Sequence, residues 1–76
     1  MKLTVKLPDE EVLNIVLEPS DSIGKLKSEI MRKTGVPEYL QRLILNSQQL
    51  DDINSLSKYN ISDTSVIEMW FKIQRR

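Results

Sequence analysis

The sequence predicts an α+β domain in which a single helix packs on one face of a β-sheet. Two segments near the start alternate apolar and polar residues at the period of a strand. One later segment repeats apolar residues at the spacing of a helix, and further short strand-like segments follow it. The predicted order is β-β-α-β-β-β. Because one helix covers only one face of a sheet, the other face should meet solvent.

The start of the chain predicts an antiparallel hairpin. Apolar and polar residues alternate strictly over residues 1–7, which is typical of a half-buried strand. A second alternating segment at 12–17 predicts its partner strand. Residues 8–10 (Pro-Asp-Glu) interrupt the pattern and favour a turn between the two strands.

A helix is predicted over residues 23–34. Leu26 and Ile30 belong to a set of apolar residues that recur at helical spacing. Ser22 is the expected N-cap, because its hydroxyl can accept a hydrogen bond from a backbone N–H of the first turn. Gly35 suits the left-handed conformation that ends many helices.

The second half of the chain predicts strands at 40–45, 48–50 and 66–73, with a tight helical turn at 55–61. In the last strand the even positions include the charged residues, so the even face should meet solvent. Trp70 is therefore expected to point outward. The predicted core takes residues from every main element. It consists of Leu3, Val5, Leu13, Ile15, Leu17, Ile23, Leu26, Ile30, Leu43, Leu50, Leu56, Ile61, Ile67 and Met69.

The composition fits one small globular domain without a dominant charge. The chain has 76 residues, of which 39% are hydrophobic, and its 11 basic residues balance 11 acidic ones. A nucleic acid or a membrane surface is not an expected partner, because proteins that bind them carry a basic excess. The sequence shows no membrane span and no signal peptide, so the cytoplasm or the nucleus is the expected location.

Catalysis, cofactors and metal sites are not expected. The chain has no histidine and no cysteine, which removes the commonest general base, the thiolate nucleophile and most zinc ligands. A hydrolase needs two carboxylates in a cleft with pKa values pushed apart, whereas those of 9–11 and 51–52 fall in predicted turns. Gly24 and Gly35 do not form a glycine-rich phosphate loop. The protein is expected not to be an enzyme.

Several fragments of the sequence, in order and at matching spacing, resemble the ubiquitin family. They are 18–23 (EPSDSI), 35–37 (GVP), 41–44 (QRLI), 49–50 (QL) and 56–61 (LSKYNI). The resemblance extends over the whole chain without a gap. It implies a single β-grasp domain over 1–76, with one helix packed on a mixed sheet.

The resemblance also implies two structural contacts. Lys27 on the helix is expected to pair with Asp52, and Tyr59 is expected to hold the loop near Asp51. Neither role concerns function.

The resemblance further implies a protein-binding surface on the third and fifth strands, where most ubiquitin receptors bind an apolar area. The candidate residues are Ile44, Trp70, Pro8, Arg42, Gln49 and Glu68. Ile44 matches the family at the centre of this area, and Arg42 and Gln49 match it on the rim. Glu68 introduces a negative charge, which suggests different partners. Trp70 enlarges the apolar area, and tryptophan is enriched at binding hot spots.

A secondary patch is expected where ubiquitin has another surface used in binding. It consists of Val36, Phe71 and Ile73, beside Pro8. Modifiers of the family are conjugated through a C-terminal Gly-Gly, whereas this sequence ends at Arg75-Arg76. The expectation is therefore a module of a longer protein that is not conjugated.

Together these features predict a noncovalent interaction module that docks on ubiquitin-binding elements of the proteasome and ubiquitin system. One alternative is a conjugated modifier, and another is a regulatory domain within an enzyme of the ubiquitin pathway. A third is a domain that pairs through its second strand, as Ras-binding domains do. The outer residues of that strand, Val12, Asn14 and Val16, lack the basic charge of such domains. A monomer is expected, with weak self-association through Trp70 as a further alternative.

Overall fold

The structure is a computed structural model and describes residues 1–72. Within that range it contains five strands, one α-helix and two short 3-10 helices. The strands are β1 (Lys2–Lys6), β2 (Val12–Val16), β3 (Gln41–Leu45), β4 (Gln48–Gln49) and β5 (Val66–Phe71). The helix α1 spans Ile23–Thr34, and the 3-10 helices span Glu38–Leu40 and Leu56–Tyr59.

The five strands form one mixed sheet in the order β2-β1-β5-β3-β4. The central pair β1 and β5 is parallel, and the pairs β1–β2, β3–β5 and β3–β4 are antiparallel. The predicted β-grasp fold, with one helix on a mixed sheet, is confirmed. The sheet face opposite the helix is called the open face. Its residues are Lys2, Thr4, Lys6, Val12, Asn14, Val16, Arg42, Ile44, Gln49, Val66, Glu68 and Trp70.

The helix begins and ends as the sequence predicts. The hydroxyl of Ser22 accepts a hydrogen bond from the backbone N–H of Lys25 at 3.1 Å. Gly35 follows the last helical residue with a φ of 82°, and its N–H donates to the carbonyl of Met31 at 2.7 Å. Glycine adopts this left-handed conformation without a steric penalty, so the helix ends there.

The turn between β1 and β2 is held by two backbone hydrogen bonds. The N–H of Leu7 donates to the carbonyl of Glu11 at 2.8 Å, and the N–H of Glu10 donates to that of Leu7 at 2.9 Å. Glu10 has a φ of 72°, in the left-handed region. The turn therefore sets Pro8 and Glu10 beside the end of β1.

The core lies between α1 and the sheet, with two differences from the predicted set. Leu13 is only half-buried, because it lies on the edge strand β2, where neighbouring structure covers it incompletely. Leu45 is buried although it was not predicted, because it continues the alternation of Gln41 and Leu43 along β3. The other predicted core residues are buried.

A buried glutamine contributes to the packing of the helix against β3. The Gln41 side chain is fully buried, and its Nε2 donates to the carbonyls of Lys27 and Val36, each at 3.0 Å. These bonds link β3 to the middle of the helix and to the segment just beyond its C-terminal end. Within residues 1–72, the Gln41 Oε1 atom has no hydrogen-bond partner.

Both contacts implied by the family resemblance are present. Lys27 Nζ lies 2.7 Å from Asp52 Oδ1. The hydroxyl of Tyr59 accepts hydrogen bonds from the backbone N–H of Asp51 and from Asn54 Nδ2, each at 2.9 Å. Tyr59 therefore holds the loop that leads into the second 3-10 helix.

Several predicted element bounds were too long. β1 and β2 each end one residue earlier than expected, and β4 stops at Gln49. β3 starts at Gln41 because residues 38–40 form a 3-10 turn directly after Pro37. β5 ends at Phe71, and residue 73 of the predicted strand lies outside the described residues.

Candidate protein-binding surface

The register of β3 and β5 places four of the candidate residues in one compact square on the open face. Arg42 lies directly opposite Trp70, and Ile44 lies directly opposite Glu68. The apolar pair Ile44 and Trp70 therefore occupies one diagonal, and the charged pair Arg42 and Glu68 occupies the other. Diagonal neighbours on one face are roughly 7–8 Å apart, within reach of a tryptophan side chain. The predicted proximity of Ile44 and Trp70 is confirmed, but charged groups alternate with them.

Trp70 is on the open face, as predicted, with 46% of its surface exposed. Its indole Nε1–H donates a hydrogen bond to Glu68 Oε1 at 3.2 Å. The two residues are separated by one position on β5, so both side chains leave the sheet on the same side. This bond satisfies the polar atom of the indole and holds the ring against the Glu68 carboxylate.

Glu68 lies in the middle of the surface. Its register partners are Ile44 on β3 and Lys6 on β1. Among the described residues its carboxylate takes part in no ion pair, although Lys6 is its neighbour. Within residues 1–72 the surface therefore presents a negative charge without an ion-pair partner beside its largest aromatic side chain.

Arg42 and Gln49 form the opposite rim. Arg42 Nε–H donates to Gln49 Oε1 at 3.2 Å, and Gln49 lies opposite Ile44 across β3 and β4. The two side chains line a shallow depression together with Phe71 and Lys72. This rim carries two positive charges, so it differs electrostatically from the area around Glu68.

Pro8 joins the surface through a pocket next to Trp70. This cavity of about 310 Å³ is called the Trp70 pocket. Its lining residues are Lys6, Leu7, Pro8, Glu10, Glu68 and Trp70. The structure thus brings all six predicted binding residues to one face of the sheet or to its immediate rim.

Sequence reasoning missed two residues of this surface, Val66 and Lys6. Val66 is 50% exposed and lines a second depression with Ile44 and Glu68. Its even position in the last strand places it on the solvent face and could have identified it. Lys6 becomes a neighbour of Glu68 only because β1 and β5 pair in parallel, which the local pattern does not reveal.

The secondary patch is only partly described. Val36 and Phe71 line an open groove of about 580 Å³ between the β1–β2 turn and the end of α1, together with Pro8 and Leu13. Phe71 occupies an inward-facing position of the strand pattern yet is exposed, because β5 ends there and no element within residues 1–72 covers it. Ile73, the third predicted member, lies outside the described residues.

Two further features concern the part of the chain from residue 1 to residue 72. No helix there has the length and apolar character needed to cross a bilayer. In the same range, no group of three or more Asp, Glu, His or Cys side chains is arranged to hold a metal ion.

Comparison with known proteins gives a consistent result. The model of the ubiquitin family matches residues 3–74. The chain is 32% identical to the ubiquitin-like protein NEDD8 of Dictyostelium discoideum over 69 residues, which cover 91% of this chain and 90% of that protein. It is also 32% identical to the NEDD8-like protein RUB3 of Arabidopsis thaliana, covering 91% of this chain and 88% of that protein. Ubiquitin D of Homo sapiens is 32% identical over 91% of this chain, which corresponds to 42% of the human protein.

The family match extends over nearly the whole chain and agrees with the sheet order, the capped helix and the two contacts of Lys27 and Tyr59. The chain belongs to the ubiquitin family.

Proposed function

We propose that this domain is a noncovalent docking module whose open face is bound by ubiquitin-binding elements of proteins in the proteasome and ubiquitin system. The observation that supports this most directly is the position of Ile44 and Trp70, which lie diagonally across β3 and β5 with the indole exposed to solvent. In this proposal the two side chains anchor the contact. Pro8, Arg42, Gln49 and Glu68 form its rim.

The energetics of protein interfaces favour a binding role for Trp70 over an exposure that has no function. A single exposed apolar side chain needs no explanation, but Ile44 lies diagonally next to Trp70 and also lines a depression with Val66 on the same face. Tryptophan is enriched among residues whose truncation costs 2 kcal/mol or more of binding energy. Its indole is already held by Glu68, so little side-chain freedom remains to be lost on binding.

The test is an NMR titration of the ¹⁵N-labelled domain with a synthetic ubiquitin-interacting helix. We expect shifts at Ile44, Glu68 and the Trp70 indole N–H. Ile44→Ala and Trp70→Ala should each weaken binding at least tenfold, because an anchor lost from a hot spot costs about 1.4 kcal/mol or more.

Val16→Ala is the matched control for these variants. Val16 is 72% exposed on the same open face but lies at the far edge, on β2. This variant should bind as the unchanged domain does. If Ile44→Ala and Trp70→Ala also leave the affinity unchanged, the proposed site is wrong.

A second candidate function is covalent modification of other proteins. It is favoured by the match to two ubiquitin-like proteins along 90% and 88% of their lengths. The test is incubation with ubiquitin-activating and NEDD8-activating enzymes and ATP, followed by a non-reducing gel. A thiol-sensitive adduct would support a modifier, and its absence with both enzymes would favour docking alone.

The docking proposal has three corollaries. The domain has no catalytic activity of its own, it acts in the cytoplasm or nucleus, and it is a monomer when unbound. Sedimentation of the domain and of its Trp70→Ala variant tests the last point. A Trp70-dependent dimer would contradict it.

A further inference from the structure

We infer that the Trp70 pocket receives an arginine side chain from the docked partner. This inference rests on the proposed function, because the arginine belongs to the element that binds the open face. It adds a chemical requirement on the partner, whereas the docking proposal alone requires only an apolar surface.

The size and shape of the pocket suit one long side chain. Its volume of about 310 Å³ is at the lower limit of the roughly 300–1,000 Å³ found for ligand sites. Trp70 and Pro8 supply apolar walls. Such walls pack well against the methylene stem of a long basic residue.

The charges that line the pocket favour a cation. Glu10 and Glu68 contribute two negative charges and Lys6 contributes one positive charge, so the lining has a net charge of −1 (2 negative, 1 positive). Glu68 uses Oε1 for the indole of Trp70 and forms no ion pair within the described residues. Its other oxygen can therefore accept a hydrogen bond from a bound cation.

The β1–β2 turn positions the backbone of Glu10, the second acidic residue of the lining. Glu10 has a φ of 72° and is held there by its own N–H bond to Leu7. This holds the backbone of Glu10 in place at the rim of the pocket. Glu10 and Glu68 both line the pocket, so a cation that enters it comes near two acidic residues.

An arginine fits this arrangement better than a lysine does. The planar guanidinium stacks on an indole face and can bond to a carboxylate through two N–H groups. The ammonium of lysine is a compact and strongly hydrated charge that gains less from an aromatic wall. The Lys6 ammonium in the lining opposes either cation, so the preference for arginine rests on its planar guanidinium.

The opposite rim of the surface then sets the orientation of the partner. Arg42 and Lys72 line the depression on the far side of Trp70, and they repel a basic residue placed there. A partner with its arginine towards Pro8 avoids this repulsion, whereas the reversed partner meets it. The surface is therefore acidic near Pro8 and basic near Arg42. This difference in charge selects one of two docking orientations.

The experiment uses the ubiquitin-interacting helix of the docking test as a host. A single arginine is moved along the residues that flank its apolar face, and each peptide is paired with one that carries citrulline at that position. Citrulline has the shape of arginine without its charge. We expect one position at which the arginine peptide binds about tenfold more tightly than its citrulline partner, and at which the Trp70 indole N–H shifts most.

Two variants of the domain test the origin of the preference. Glu68→Gln keeps an oxygen that can accept the indole hydrogen bond but removes the charge, so it should abolish the preference for arginine. Lys6→Gln removes the opposing positive charge and should increase the preference. Glu18→Gln, an exposed carboxylate outside the open face, is the control and should change nothing.

The outcomes separate the two proposals. If arginine and citrulline peptides bind equally at every position while Trp70→Ala still weakens binding, the arginine pocket is wrong and the docking surface stands. If arginine is preferred but Glu68→Gln preserves the preference, the pocket is also wrong. If no peptide binds through Ile44 and Trp70, both proposals fail together.

Discussion

The ammonium of Lys27 lies 2.7 Å from the carboxylate of Asp52, yet the two side chains are in very different surroundings. The Lys27 side chain is 5% exposed and that of Asp52 is 58% exposed. A buried cation on the helix is thus stabilised by an anion that remains in contact with water. Loss of Asp52 and loss of Lys27 should therefore lower the stability of the domain by different amounts.

Asp52→Ala should lower the free energy of unfolding by about 2 kcal/mol, because it leaves a buried ammonium without its charged hydrogen-bond partner. Lys27→Met should cost less, since it removes the buried charge and fills a similar volume, while Asp52 returns to water. Urea unfolding measures both values. Asp51→Ala is the control, because that neighbouring carboxylate is exposed. An equal loss for Asp51→Ala and Asp52→Ala would contradict the assigned role of the ion pair.

Tyr59→Phe should lower the free energy of unfolding by about 1 kcal/mol. The lost hydroxyl accepts hydrogen bonds from the Asp51 N–H and from Asn54 Nδ2, each at 2.9 Å. Tyr39→Phe is the matched control, because Tyr39 is 65% exposed. Thermal or urea unfolding measures the difference between the two variants. Equal stabilities would mean that the Tyr59 hydroxyl does not hold the loop.

Gly35→Ala should lower the free energy of unfolding by about 1–2 kcal/mol through the backbone alone. A methyl group at Gly35 would have no atom within 4 Å, but its φ of 82° is unfavourable for alanine. Gly24→Ala is the contrasting variant, because its new methyl would lie 3.4 Å from the Asp52 carbonyl and alanine favours a helix. Gly24→Ala should be neutral or stabilising. The opposite order of stabilities would exclude conformational strain as the cause.

The Arg32 side chain lowers the pKa of Glu29 from its ordinary value, mainly through a hydrogen bond between Arg32 Nη2 and Glu29 Oε1 at 2.6 Å. A lowered pKa in the folded state adds stability above the pKa of the unfolded chain. That contribution is lost as the pH falls through the folded value. NMR titration of the Glu29 carboxyl should show the low pKa, and Arg32→Gln should return it towards normal. An unchanged pKa in Arg32→Gln would rule out this cause.

Local patterns in the sequence predict the elements of this fold well, because each depends on neighbouring residues. The strand alternation of β1 and the Ser22 and Gly35 caps of the helix are examples. Burial of residues near the edge of the sheet is harder to predict from the sequence, as Leu13 and Leu45 show. It depends on which distant segment covers the strand. The approach of Lys6 to Glu68 could not be read from either strand, since it follows from the pairing of β1 with β5.

The six candidate residues could be predicted to share one side of the sheet, whereas their mutual contacts and the addition of Lys6 could not. The outward direction of Trp70 follows from the period of β5 alone. The bond from its indole to Glu68 and the pocket beside Pro8 require the register between strands and the conformation of the turn. These features are three-dimensional, and the proposed arginine pocket depends on them.

The parallel pairing of β1 with β5 has a consequence for how this domain is made. A ribosome delivers β1 first and β5 last, so the centre of the sheet cannot close until nearly the whole domain has emerged. Until then β1 can pair only with β2, and an isolated two-stranded hairpin is marginal in water. Nascent chains that stop before Val66 should therefore remain unfolded and open to chaperones and proteases. Emergence of β5 from the ribosome is the event that allows this chain to become a folded domain.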